Sequence, residues 1–343
     1  MASNLSTQLS PSERQYILDG CADDCRNDGR TTQEIRPYTI VTSTTESSSS
    51  SSSPEERYPP LILSNGSARL FLSSSGAAAT HILCSVKAEL GHPSVKHPSQ
   101  GTVHIHVEDS LGGAAMTSRR QSQDERNYVQ AILEELLADH LLDLEALCIV
   151  PHHYAYQIYI DIEILSGTAG TLMDACAHCM RAALEHTLLP SIQPSSSSTA
   201  DNGGKQPTGS TSADLLVDSD IRKATPPIGL DKSPVVVTVT VCQRPSSDFK
   251  SNTFLLLLDA TLEEESCSFC QVHVAVAAGS DKQEPEICAL RKTGMGSLPW
   301  ALLPDITALA ISAVPIVQRA FGSGSQSTSS EKLGILQGQF AIQ

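Results

Sequence analysis

The stretch Tyr154–Leu165, "YAYQIYIDIEIL", alternates without a break. Tyr156, Ile158, Ile160, Ile162 and Ile164 fall on one side, and Gln157, Tyr159, Asp161 and Glu163 on the other. That period of two predicts a strand with one face in a core and one face outside it. Gly167 and Gly170 then punctuate a turn, after which Leu172, Cys176, Cys179 and Ala183 recur at helical spacing as far as Pro190.

Upstream, "SARLFL" (67–72), "THILCSVKAEL" (80–90) and "TVHIHVED" (102–109) read as strands. In the last, Val103, Ile105 and Val107 oppose His104, His106 and Glu108. Between them and the central strand, 123–142 carries a helical stripe of Val129, Ile132, Leu133, Leu136 and Leu137, closed by His140 or Leu141. Downstream the order repeats more briefly. Four strands are predicted at 235–242, 253–260, 271–278 and 286–292, followed by a helix from Pro304–Asp305 that Pro315 should interrupt. Strands gathered ahead of helices, twice over, indicate an α+β chain of two related halves.

Serine-rich stretches divide the chain. The expected organisation is an N-terminal segment with a first strand (1–41), a Ser-rich disordered insertion (42–60), a first half (61–190), a Ser/Gly-rich linker (191–215), a second half (216–321) and a flexible tail (322–343). The Ser-rich stretches hold too little apolar surface to offset the entropy of ordering.

Composition narrows the function. The 343 residues, 40% hydrophobic, suffice for one large or two medium domains. With 38 acidic against 23 basic residues the net charge is −15, the reverse of a lone nucleic-acid binder. Contact with RNA would need a few local basic residues or basic partners. The single Trp leaves little for base stacking. No apolar run of transmembrane length and no signal peptide are read, since "MASNLSTQLSPSER" is polar from the start. Ten cysteines without a secretory signal point to reduced thiols.

Six strings in order, "RNDGR" (26–30), "NGSARLFL" (65–72), "VKAELGHPS" (86–94), "GTLMDACAHCMRAAL" (170–184), "LDATLEEESCS" (258–268) and "RKTGMGSL" (291–298), resemble the RNase PH family, in particular ring subunits of the eukaryotic RNA exosome. The resemblance spans about Ser12 to Ala320 apart from the serine-rich insertions. It implies an RNase PH-like fold of two βαβ-type halves with mixed sheets and packed helices. It also implies partners: other RNase PH-type ring subunits, cap subunits with RNA-binding domains, and RNA in the channel, with no membrane. A nuclear, nucleolar and cytoplasmic location follows from the same resemblance.

Active members of that family cleave RNA from its 3′ end with phosphate as nucleophile. They use a Ser-Arg pair after a Gly-Gly turn for the phosphate and two Asp six residues apart for acid or metal work. A phosphate dianion suits a guanidinium fork and helix N-terminal amides. A departing ribose oxygen needs a positioned acid or Mg²⁺. Carried onto this chain, the Ser position falls on Thr171, the Arg position on Leu172, and the acidic positions on Glu265 and Gln271. Leu172 belongs to an apolar stripe and Gln271 has no charge, so the resemblance implies a subunit without its own catalysis and without a cofactor. The alternative is an active phosphorolytic exoribonuclease using Asp259 and Glu265.

Arg119 and Arg120 sit in the predicted polar loop "GGAAMTSRRQSQDER", where the family places arginines near the RNA path; a solvated loop explains them equally well. Arg291 and Lys292, ahead of "TGMGS", are the second basic candidate pair, for RNA or for a neighbouring subunit. Lys87 falls mid-strand. Two Cys-x-x-Cys pairs, Cys176/Cys179 with His178 between them and Cys267/Cys270, raise a zinc-stabilised interaction protein as a third reading. The helical stripe favours packing over metal for the first pair, and no metal is expected. His104 with His106, and His152 with His153, read as exposed pairs.

Overall fold

The structure is a computed structural model that describes residues 9–42, 64–73, 79–109, 119–194, 215–218, 223–244, 253–277 and 285–323. The first part of the chain forms α1 (Pro11–Ala22), β1 (Tyr38–Thr42), β2 (Gly66–Ser73), β3 (Ala79–Gly91), β4 (Thr102–Asp109), α2 (Arg119–Leu137), β5 (Cys148–Val150), β6 (Tyr154–Gly167) and α3 (Leu172–Glu185). The rest forms β7 (Ile192–Pro194), β8 (Leu215–Val217), β9 (Pro234–Arg244), β10 (Thr253–Leu258), α4 (Leu262–Cys267), β11 (Ser268–Ala277), β12 (Glu286–Thr293) and α5 (Leu303–Ser323).

The alternating strand is β6, the spine of a six-stranded sheet ordered β1-β2-β3-β6-β4 with β5 also paired to β6. Its isoleucines meet the inward residues of β3 in register, Ile164 opposite Ile82, Ile162 opposite Cys84 and Ile160 opposite Val86. Each isoleucine so buried contributes about 1.5–3 kcal/mol. The β4–β6 pairing is parallel, with α2 carrying the crossover, and every other pairing in this sheet is antiparallel. The second sheet, β10-β9-β11-β12, is antiparallel throughout. Its βαβ-type passage is β10–α4–β11, whose strands run parallel to each other on either side of β9. The α+β expectation holds, with the mixed sheet in the first half.

Four layers result: first sheet, α2 with α3, second sheet, α5. The period of two sorts each strand between layers. Val235, Val237, Val239 and Val241 of β9 join Val272, Val274 and Val276 of β11 against Ile306, Ala310, Ala313 and Val317 of α5. Val236 and Ala275 point the other way and join the core that holds α2 and α3. Helix α3 lies between the two sheets and is buried from Ala175 through Leu184. Its small side chains, Ala175, Cys176, Ala177, Cys179, Ala182 and Ala183, let both sheets approach it.

Several expectations change. Helix α5 runs unbroken through Pro315, whose neighbour Ile316 is exposed, so a water-facing carbonyl in the preceding turn can lose its N–H partner. Contrary to the sequence reading, Trp300–Arg319 is long and apolar enough to cross a membrane by length and composition; one stripe of it, Ile306, Ala310, Ala313 and Val317, packs on the second sheet. Helix α2 starts at Arg119, so Arg119 and Arg120 open a helix rather than lie in a loop; their side chains lie outside the described residues. The ends of the 191–215 linker are zipped together as β7 and β8. Residues 43–60, 195–214 and 324–343, which hold most of the insertion, linker and tail, lie outside the described residues.

The thiols fall in separate cores. Cys176 and Cys179 pack in the first core, Cys270 in the second, and Cys267 in a third with Ile17, Leu18 and Cys21 of α1. His178 is buried, bonds the Val236 carbonyl at 2.9 Å and stacks on Tyr38. The two Cys-x-x-Cys pairs therefore do not meet, and among the described residues no group of three or more His, Cys, Asp and Glu is placed to hold a metal ion.

Candidate functional site: the cleft at the start of α3

The two halves are tied together where β6 turns into α3 and β10 turns into α4. Gly170 makes the first turn at φ +82°, and a Cβ there would lie 2.7 Å from the Ala260 carbonyl oxygen and from the Leu262 amide. Only glycine fits such an approach. Thr171 follows in a left-handed conformation and opens α3. On the facing side, Thr261 caps α4 through a reciprocal pair of bonds with Glu264.

Beneath these turns lies a buried ionic cluster that the sequence reading missed. Asp259 accepts bonds from Arg30 Nη1 at 2.9 Å, Arg36 Nε at 2.8 Å, Arg36 Nη2 at 2.6 Å and the Thr171 hydroxyl at 3.0 Å. Arg36 also donates to the Ala169 carbonyl at 2.8 Å. Arg26 donates to Glu264 Oε1 at 2.8 Å and to the carbonyls of Leu258 and Asp259. Burial raises the Asp259 carboxyl, but Arg36 and Arg30 outweigh it and hold the group below the usual carboxylate range. "RNDGR" thus supplies structural arginines.

Above the cluster is a cleft of about 160 Å³. Tyr128 of α2, Leu172 and Met173 of α3, and Leu262 of α4 form its apolar wall; Thr171, Thr238, Glu265, Gln271, His273 and Thr293 supply polar groups. The cleft therefore brings together Thr171, Leu172, Glu265 and Gln271, the four positions carried over from the resemblance. The Thr171 amide donates to Glu265 Oε1 at 2.8 Å. Burial pushes the Glu265 carboxyl up to about 7, against the pull of that amide. No Lys or Arg lines the cleft among the described residues. Leu172 both lines it and packs on the first core.

A row of hydrogen bonds crosses the cleft floor. The Thr238 hydroxyl contacts Asp174 Oδ1 and lies 2.8 Å from His273 Nδ1, while His273 Nε2 lies 3.1 Å from the Thr293 hydroxyl. Burial pushes Asp174 up to about 7 against the bonds from Thr238, and holds His273 down to about 4, with Arg291 adding to the effect. With Asp174 ionised, the Thr238 amide and hydroxyl both donate to it, His273 Nδ1–H donates to Thr238 and the Thr293 hydroxyl donates to His273 Nε2; with Asp174 protonated, the row of side chains runs the other way, from Asp174 through Thr238 and His273 to Thr293. A carboxyl with a raised folded pKa contributes stability that is complete below about pH 4 and lost as pH rises through about 7. Asp174→Asn supplies the same donor at all pH values. It is expected to raise stability at pH 8 by about 1–2 kcal/mol and to flatten the decline between pH 4 and 7, measured by denaturant titration across pH.

The basic candidates lie elsewhere. Arg291 donates to Glu135 Oε1 of α2 at 2.7 Å, joining the two halves, and Lys292 donates to the Gly294 carbonyl at 2.8 Å. Lys87 lies on the uncovered face of the first sheet, 3.5 Å from Asp161. His104 stacks on Tyr159 and His106 lies 3.2 Å from Glu108 on that same face.

Comparison with known proteins places this architecture. Residues 34–190 match domain 1 of the 3′ exoribonuclease family, RNase PH. Exosome complex component Rrp42 of Methanopyrus kandleri is 24% identical over 246 residues, covering 70% of this chain and 77% of the relative. Exosome complex component RRP45 of Danio rerio is 27% identical over 187 residues, 54% of this chain and 41% of the relative. Among solved structures, an Archaeoglobus fulgidus exosome with RNA bound to the active site superposes with a TM-score of 0.57 at 20% identity, covering 90% of this chain and 97% of that one. An archaeal exosome core gives 0.55 at 19% identity, covering 90% and 96%. Two sheets enclosing α2 and α3, a family match across the first half and superposition over nine-tenths of the chain agree on an RNase PH-like fold, and the curated relatives that match are exosome components.

Proposed function

We propose that the chain is a non-catalytic subunit of an RNA exosome ring, of the Rrp42/RRP45 kind. It would support 3′–5′ RNA processing and degradation, including rRNA maturation and mRNA turnover, by completing the ring and lining its RNA channel. The observation that carries this reading is the bond between Glu265 and the Thr171 amide. By the family resemblance, the turn before α3 is where phosphate would be held. Here its amide is committed to the chain's own carboxylate, Leu172 stands where a guanidinium would be needed, and Gln271 stands at the second acidic position. A phosphate dianion brought to this turn would meet negative charge instead of an arginine fork.

The active-exoribonuclease alternative needs Asp259, but that carboxylate is already engaged by Arg30, Arg36 and Thr171. Arg119, Arg120, Arg291 and Lys292 are the proposed RNA contacts; phosphate would replace Glu135 and the Gly294 carbonyl as partners of the last two. Assembly is proposed with RNase PH-type ring subunits and RNA-binding cap subunits, in nucleus, nucleolus and cytoplasm. Native mass measurement after mixing with RNase PH-type exosome subunits is expected to show a closed hetero-oligomer. A chain that stays monomeric with every such partner would overturn the assembly reading.

A further inference from the structure

We infer that the cleft between α3 and α4 is a receptor for an alkylguanidinium group, the end of an arginine side chain or of a free ligand of that chemistry. Glu265 supplies the charge. Its Oε1 is fixed by the Thr171 amide at 2.8 Å, and the side chain lines the cleft, so Oε2 is left for a ligand. The Gln271 amide is presented beside it from β11, and the Thr293 hydroxyl from the adjacent strand β12, opposite Gln271 in register. Glu265 of α4, Gln271 of β11 and Thr293 of β12 thus line one cleft, with the Thr293 hydroxyl also 3.1 Å from His273 Nε2.

Charge selects the ligand. With no Lys or Arg among the lining residues described, a phosphate or carboxylate would be repelled, whereas a cation would offset the cost of holding Glu265 away from bulk water. Shape selects further. At about 160 Å³ the cleft is smaller than the roughly 300–1,000 Å³ of sites for drug-sized ligands, so it suits one side chain rather than a nucleotide. Leu172, Met173 and Leu262 offer apolar contact for an alkyl stem, and Tyr128 an aromatic wall. A planar guanidinium with five donors uses divergent acceptors better than a compact ammonium does.

The inference rests on this cleft lacking the cations that phosphate needs, but it fails separately from the assignment as a non-catalytic ring subunit. Phosphorolysis by the chain would sink that assignment and leave guanidinium binding to be judged by its own titration. Failure to bind guanidinium would leave ring assembly untouched.

The test is a titration of the full chain with agmatine, and in parallel with a capped Gly-Arg-Gly peptide, followed by amide NMR shifts. Putrescine, choline and inorganic phosphate serve as comparisons. Agmatine is expected to bind with a Kd of roughly 1 mM, about −4 kcal/mol, and to shift the Thr171 and Gln271 amides. Binding of the peptide as well assigns the site to a protein arginine, and binding of agmatine alone to a free ligand. Putrescine should bind at least about threefold more weakly. Glu265→Gln, which keeps an acceptor for Thr171, should weaken binding about tenfold at pH 8.

Because the Glu265 carboxyl titrates near 7, wild-type affinity should rise about tenfold from pH 6 to pH 8. The other groups around it are Arg36, Asp174 and Asp259, with His273 across the cleft. Asp174 titrates in the same window, so the pH series is repeated in Asp174→Asn, where the rise should persist; in Glu265→Gln it should vanish. Phosphate binding in place of agmatine, no agmatine binding at 20 mM, or agmatine binding unchanged in Glu265→Gln with its melting temperature preserved would each overturn the proposal.

Discussion

Replacing Asp259 by alanine is expected to destabilise the chain by about 3–5 kcal/mol, because it removes the carboxylate shared by two buried guanidinium groups and leaves that of Arg36 without an anion. Arg30 keeps Asp28, 2.7 Å away, but Arg36 retains only the Ala169 carbonyl and the Thr171 hydroxyl. A backbone cost adds to this. Asp259 has φ +46°, a left-handed conformation that Asp and Asn tolerate better than Ala. Asp259→Asn isolates the charge and should cost about 2–4 kcal/mol, since it keeps one acceptor but turns an amide N–H toward an arginine. For a folded body of this size the loss corresponds to a fall in Tm of about 6–15 °C, read by calorimetry. Linkage gives a second readout. A carboxyl with a depressed folded pKa contributes stability that is present above its unfolded value near 3.9 and lost as pH falls through its folded value. Asp259→Asn should therefore make acid unfolding less steep, the opposite limb from that altered by Asp174→Asn. A melting temperature unchanged in Asp259→Ala would show that the cluster does not hold the halves together.

Arg26→Met is expected to cost about 3–5 kcal/mol, and adding Glu264→Leu should recover much of it. The single change strands the Glu264 carboxylate, only 2% exposed, and removes the donor from the Leu258 carbonyl. Once both charges are gone, what remains is the lost cap on α4, where Glu264 Oε2 accepts from the Thr261 amide at 2.8 Å, and the carbonyls left by Arg26. The double variant should then lie about 1–2 kcal/mol below wild type, a recovery of about 2–3 kcal/mol relative to Arg26→Met alone. Denaturant midpoints of wild type, both single variants and the double close the cycle. Additive losses would mean that Arg26 acts through its carbonyl contacts and not through the ion pair.

Much of the fold was legible because strand alternation is local. Ile158 through Ile164 of β6 show which face is buried whatever they pack against, whereas β9 is buried on both faces and its valines divide between two cores. Helices α1 and α4 were overlooked, although each starts at a visible capping box, Ser10 with Glu13 and Thr261 with Glu264. Helix α1 is only weakly amphipathic, burying Ile17, Leu18 and Cys21, and α4 is a six-residue helix crowded with glutamates. Pro315 misled because proline breaks a helix only where its missing bond and ring are not accommodated.

The site was legible in part. Leu172, Glu265 and Gln271 do line one cleft, but their position came from the resemblance and not from any local pattern. The Arg26, Arg30 and Arg36 cluster was illegible because its partners lie more than 220 residues away in the chain. His273, Thr238 and Asp174 were invisible for a similar reason: hydroxyls and a histidine inside valine-rich strands declare a polar row only when the second sheet faces α3.

The most direct test of the central claim is incubation of the purified chain with single-stranded RNA, inorganic phosphate and Mg²⁺, with nucleoside diphosphates followed over time. The expected result is no phosphate-dependent release above the protein-free control, at any ratio of chain to RNA. Steady release of nucleoside diphosphates that scales with chain concentration and disappears in Glu265→Gln would contradict the account.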